Sequence, residues 1–132
     1  MQTCPAGTFA LGQASVCSSC KAGFYAPAGS AACSACKPGT FSKAGRAASC
    51  ALCPAGSQCP NVGTVAPTAC GPGYFAAKQG SQLCAPCSVN TWTDQFLQTG
   101  CAPCAPGTST RGQVGQSICQ VVRSAARRLL LL

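Results

Sequence analysis

The sequence predicts a small disulfide-rich fold, mostly irregular with short β-hairpins. It should form an elongated rod of seven tandem units of about 17 residues, with almost no helix except in a C-terminal tail. Three observations predict this. Cysteine supplies 14 of the 132 residues, a density that marks disulfide scaffolds. The cysteines recur in register, opening units at Cys4, Cys20, Cys36, Cys53, Cys70, Cys87 and Cys104, and self-similarity at a short fixed period denotes stacked units rather than a globule. Large apolar side chains are scarce, because the hydrophobic 47% is mostly Ala and Cys, which remove little area from water.

Residues 1–3 form a short lead, residues 4–120 the repeats and residues 121–132 a basic, leucine-rich tail or linker. "CKPGTFSKAGRAASC", residues 36–50, shows the plan of one unit. Three residues after the opening cysteine stands a glycine: Gly7, Gly23, Gly39, Gly56, Gly73 and Gly107, with Asn90 in the sixth unit. Gly and Asn tolerate positive φ, so this position predicts a left-handed turn.

Two residues further on come Phe9, Tyr25, Phe41, Phe75 and Trp92, each expected to lie over a disulfide or a neighbouring unit. Units four and seven carry Gln58 and Ser109 there, which predicts looser packing. The short Thr- and aromatic-rich stretch after each glycine reads as a strand. A second turn is expected near Gly12, Gly29, Gly45, Gly63, Gly80 and Gly112.

Every unit but the fourth ends on a second cysteine, giving Cys17, Cys33, Cys50, Cys84, Cys101 and Cys119. In unit four Cys59 comes early and Pro67 holds the closing position, which predicts a bend or an offset. Within-unit closure pairs Cys4–Cys17, Cys20–Cys33, Cys36–Cys50, Cys53–Cys59, Cys70–Cys84, Cys87–Cys101 and Cys104–Cys119. A crossed scheme with Cys4–Cys20, Cys17–Cys33, Cys36–Cys53, Cys50–Cys59, Cys70–Cys87, Cys84–Cys101 and Cys104–Cys119 also uses every cysteine. Spacing alone does not decide connectivity. The first scheme is favoured, since one repeated unit should close one repeated loop. If each unit touches only its neighbours, stability is a sum of local terms.

The pattern C-x-x-G-[TFY]-[FY]…C-x-x-C resembles the ephrin-receptor-like cysteine-rich repeat, and is similar to the smaller modules of tumour-necrosis-factor receptors. The resemblance covers residues 4 to 119. It implies an elongated stalk or ectodomain segment of a large modular surface protein. The Ala-, Ser- and Gly-rich filling is similar to that of surface and flagellar-filament proteins of unicellular eukaryotes.

Function classes narrow further by composition. One carboxylate, Asp94, and no histidine leave no paired-carboxylate or base-assisted nucleophile chemistry, so no catalytic residue and no cofactor is expected. The glycines recur with the repeat as turn residues and form no phosphate-binding loop. The main competing reading is a zinc-binding array, because the CxxC pairs 17/20, 33/36, 50/53, 84/87 and 101/104 have ribbon-like spacing. Against it, zinc would leave Cys4, Cys59, Cys70 and Cys119 outside any CxxC pair.

Nine Lys and Arg against one acid give +8. The cations are spread along the chain, which disfavours a nucleic-acid surface but would suit an anionic glycan. Trp92, Phe96 and Leu97 form the most apolar local surface, read as packing within the repeat rather than a partner patch. No N-x-[ST] sequon occurs.

The cysteine count points to an oxidising, extracellular or cell-surface setting. The start shows no apolar leader, and the closing leucines fall short of the ~20 residues of a membrane span, so the chain is expected to be part of a longer protein. Its expected partners are other domains of that chain or neighbouring subunits of an extracellular assembly, with membrane contact only through regions outside this sequence. A receptor ectodomain fragment binding a protein ligand is the remaining alternative.

Overall fold

The computed structural model describes residues 3–12 and 15–122. The expected helix-forming part of the tail, from Arg123 onward, lies outside them. Among the described residues there is no helix. Seven antiparallel hairpins follow one another, each of two-residue strands: β1 (Thr8–Phe9) with β2 (Ser18–Ser19), β3 (Phe24–Tyr25) with β4 (Ser34–Ala35), β5 (Thr40–Phe41) with β6 (Ala51–Leu52), β7 (Ser57–Gln58) with β8 (Thr68–Ala69), β9 (Tyr74–Phe75) with β10 (Ala85–Pro86), β11 (Thr91–Trp92) with β12 (Ala102–Pro103), and β13 (Thr108–Ser109) with β14 (Gln120–Val121). The first strand of each pair is the Thr/aromatic stretch. The return strand is the middle of each CxxC, or its counterpart Thr68–Ala69 and Gln120–Val121. Because Val121 pairs with Thr108, the seventh repeat runs past the expected boundary at residue 120.

The chain enters every hairpin through the same turn. In unit three the Thr40 N–H donates to Lys37 O at 3.0 Å and Gly39 sits at φ 88, the geometry of a type II turn. Pro38, Pro72 and Pro106 occupy the preceding corner, where a φ near −65° is already required. Asn90 takes the same left-handed position at φ 65. Threonine adds a second closure in four units, its hydroxyl donating to the same carbonyl: Thr8 to Pro5 and Thr40 to Lys37 at 2.7 Å, Thr91 to Ser88 at 2.7 Å, Thr108 to Ala105 at 2.6 Å.

A two-stranded ribbon is marginal by itself, and here main-chain bonds join each unit to the next. Between units two and three, the Gly23 N–H donates to Ser42 O at 2.9 Å, Ala26 N–H to Ala47 O at 3.1 Å, Arg46 N–H to Cys20 O at 2.9 Å, and Cys36 N–H to Gly23 O at 2.9 Å. The same four bonds recur at the next two junctions and at that of units five and six. Between units six and seven three recur and the Asn90 N–H donates to Thr110 Oγ1 instead, so the stack is stitched mainly by backbone.

The core is a pair of columns. One is the opening cysteines, of which Cys36, Cys53 and Cys87 are fully buried. The other is the residue six places after the opening cysteine of units two to seven: Ala26, Ser42, Cys59, Ala76, Thr93 and Thr110, all buried, where Ala10 of unit one is half-buried. These small side chains let neighbouring backbones approach to hydrogen-bond distance. The aromatics Phe9, Tyr25, Phe41, Phe75 and Trp92 are half-buried, flanking the columns rather than forming the core.

Candidate functional site

All fourteen cysteines are paired, each within its own unit: Cys4–Cys17, Cys20–Cys33, Cys36–Cys50, Cys53–Cys59, Cys70–Cys84, Cys87–Cys101 and Cys104–Cys119. Cα separations lie between 5.6 and 6.2 Å, inside the ordinary disulfide range. A cysteine held in a disulfide has no thiolate to offer a metal, and this overturns the zinc-array alternative. Among the described residues no group of three His, Cys, Asp or Glu is placed to hold a metal ion.

The structure places the second turn at the expected Gly29, Gly63 and Gly80 and shifts it in units three and seven. The residue whose N–H bonds back to the preceding opening cysteine is Gly29, Arg46, Gly63, Gly80, Leu97 and Gly115 in units two to seven, with bonds of 2.8 to 3.0 Å. All six have positive φ, from 61 to 80. Gly45 and Gly112 are therefore not the bonding residues of this turn. Arg46 and Leu97 hold a conformation that L side chains adopt at some cost, because the main-chain bond to the previous unit must be made there.

The units also touch beyond their nearest neighbours. A Cβ built on Gly7, Gly23, Gly39, Gly56 or Gly73 would come within the forbidden 3.0 Å of the second-turn carbonyl of Arg46, Gly63, Gly80, Leu97 or Gly115 respectively. Each partner lies two units ahead. The expectation of strictly nearest-neighbour contact is thus corrected. The first-turn glycine serves both a left-handed corner and a close approach of backbone from the next unit but one.

Unit four shows neither the expected offset nor the expected looseness. Gly63 N–H bonds to Cys36 O, and Gly80 N–H to Cys53 O, both at 2.8 Å, so the ladder passes through it in step. Gln58, in the aromatic position, is half-buried and its Oε1 accepts from Cys84 N at 2.8 Å. Cys59 occupies the buried small-residue column, which is why its disulfide closes early.

Phe96 and Leu97 are 63% and 57% exposed, whereas Trp92 beside them is half-buried. Packing within the repeat therefore holds for the tryptophan alone. Lys21, Lys37, Lys43 and Arg46 are all exposed on units two and three, with Lys21 Nζ 4.8 Å from the Phe24 ring centre, a cation–π distance. A shallow polar cavity of about 160 Å³ lies on unit seven, lined by Thr110, Arg111, Gln113, Gln116, Ile118 and Gln120.

Turn, disulfide and hairpin together define the repeat, and residues 23–70 match a family model described as tyrosine-protein kinase ephrin type A/B receptor-like. Residues 23–70 are thus similar to ephrin-receptor-like cysteine-rich repeats. The matched stretch runs from the first-turn glycine of unit two to the opening cysteine of unit five, and so includes the irregular unit four. Units one, five, six and seven share its turns, strand pairing and closure. No curated protein matches the chain. No helix among the described residues is long and apolar enough to cross a membrane.

What sequence reasoning missed is the buried small-residue column and the second-neighbour contact. The column had a signal: every unit has Ala, Ser, Thr or Cys six places after its opening cysteine. The contact had none, since it depends on how successive units rotate.

Proposed function

We propose that the chain is a non-catalytic extracellular segment of a larger secreted or surface protein, acting as a disulfide-stapled spacer or scaffold. The observation that carries this is the coincidence of two features: a disulfide in every unit, and a main-chain ladder from each of the first six units to the next. Such a segment keeps its order without a large core, in compartments where disulfides persist. The ephrin-receptor-like match supports a receptor-type extracellular setting. The flagellar-filament setting rests on composition alone. Other domains of the same chain or neighbouring subunits are the partners that suit a spacer, and an anionic glycan is the ligand chemistry that Lys21, Lys37, Lys43 and Arg46 would suit.

A second reading, a receptor fragment that binds a protein ligand, is favoured by the exposure of Phe96 and Leu97, since aromatic and large apolar side chains anchor protein interfaces. Single-molecule extension between the termini tests the first. The oxidised stack should yield only chain lying outside the disulfide loops, and reduction should release the loop residues as added length. A saturable protein ligand lost on Phe96→Ser with Leu97→Ser would sink the spacer reading and establish the receptor one.

A further inference from the structure

Unit six departs from the repeat at one position that the stack itself explains. Its first turn carries Asn90 where five earlier units carry glycine. In those units the space beside the glycine Cα is filled by a carbonyl from the unit two ahead, so a side chain is refused. Unit six has no described residues two units ahead of it. Asn90 is exposed, where Gly7, Gly23, Gly39, Gly56 and Gly73 are buried.

The hydrogen bonds supply a second, independent observation. In units one to six, the N–H of the residue six places after the opening cysteine donates to a carbonyl of the following unit: Ala10 to Ser30, Ala26 to Ala47, Ser42 to Thr64, Cys59 to Ser81, Ala76 to Gln98 and Thr93 to Gln116. Thr110 is the next in that series and is 4% exposed. Its N–H donates instead to Asn90 Oδ1 at 3.3 Å, while the Asn90 N–H donates to Thr110 Oγ1 at 2.8 Å. An unpaired buried N–H costs the full desolvation of that group. The two side chains therefore replace, reciprocally, bonds that the repeats elsewhere make between backbones.

We propose that Asn90 and Thr110 form a cap that closes the C-terminal end of the stack. Asn90 Oδ1 takes the donor that a further repeat would otherwise satisfy, and its Cβ stands where that repeat's second-turn carbonyl would have to lie. An eighth unit of this kind, in the same chain or from a second copy, is denied the seat that units three to seven take. Repeat arrays need such terminal units to stay soluble and finite, because an uncovered end is a head-to-tail surface that closes on no symmetry. Here two residues serve in place of a dedicated capping repeat.

Amide hydrogen exchange on the full chain tests both halves. Asn90→Gly keeps a residue suited to φ 65 and should speed exchange at Thr110 roughly ten-fold, the loss of about one buried hydrogen bond, while Gly115 keeps its wild-type rate. Asn90→Asp retains an acceptor and should hold Thr110 slow. The converse change, Gly73→Asn, puts the same side chain where Gly115 O lies, and should speed exchange at Gly115. Thr110 exchanging at the wild-type rate in Asn90→Gly would overturn the cap. So would equal loss of protection at Gly115 in that variant, which would make Asn90 a general support of units six and seven. An unaltered Gly115 rate in Gly73→Asn would remove the steric half of the proposal.

Discussion

Substituting Gly39 by alanine separates the two demands placed on the first turn. Gly39 sits at φ 88, and a non-glycine residue in left-handed space costs about 1–2 kcal/mol. Its new Cβ would also fall inside 3.0 Å of Gly80 O, which is backbone and cannot rotate away. Relief requires unit five to shift, and the nearest bond at risk is the Gly80 N–H to Cys53 O contact of 2.8 Å. A main-chain bond contributes about 0.5–1.5 kcal/mol net, so the two terms together come to roughly 1.5–3.5 kcal/mol.

Gly107→Ala is the control. Its φ is 83 and no atom lies within 4 Å of its Cβ position, so it should cost the conformational term alone. Exchange measured unit by unit should show Gly39→Ala loosening unit three and also the amides near Gly80, two units on. Gly107→Ala should disturb residues 104–122 only. Equal costs for the two substitutions, or loss confined to residues 36–53 in Gly39→Ala, would refute the claim that next-but-one units press on each other.

Leu97→Gly removes left-handed strain of about 1–2 kcal/mol against an entropic cost of about 0.5–1 kcal/mol for glycine. Residue 97 should then exchange several-fold more slowly, and faster exchange would count against strain at that turn. The double substitution Cys36→Ser with Cys50→Ser opens a loop of sequence separation 14, worth about 3 kcal/mol in the chain-entropy model. Protection should fall in units one to five, and the Cys104–Cys119 loop should keep its own. Uniform loss along the chain would refute a stack of local units. Thiol titration of the denatured, unreduced protein should find no free thiols and no bound zinc, and several thiols with zinc would reverse the reading of the CxxC pairs.

The repeat could be read from residues because its strongest constraints are local. A left-handed corner at Gly7 or Gly39 and a loop from Cys36 to Cys50 each depend on a few adjacent positions. The sequence points to Gly45 for the second turn of unit three, one residue early, because the bonding residue is Arg46, whose side chain gives no hint of left-handed backbone. Leu97 hides the same turn in unit six. Both hold that conformation for a bond to the preceding unit, an interaction no local pattern contains. Gln58 and Cys59 looked like defects for a related reason. Judged within one unit they replace an aromatic and misplace a cysteine, yet in the stack one bonds to Cys84 and the other fills the buried column. Phe9, Tyr25, Phe41, Phe75 and Trp92 are among the largest side chains of their units, yet they stay half-buried, and it is the small side chains that let backbones meet.

The early closure at Cys59 changes how the chain would fare against a protease. A cut anywhere between Cys36 and Cys50, or within most other loops, leaves two pieces still tied by the disulfide that spans it. Between loops the untied segments are mostly the two-residue centres of the CxxC pairs, held as return strands. In unit four the disulfide ends at Cys59 and the next begins at Cys70, so residues 60–69 are bridged by nothing covalent. Pro60, Asn61 and Val62 in that stretch are exposed. One nick there parts the polypeptide into an N-terminal portion of four disulfides and a C-terminal portion of three, held together by hydrogen bonds and packing with no covalent link.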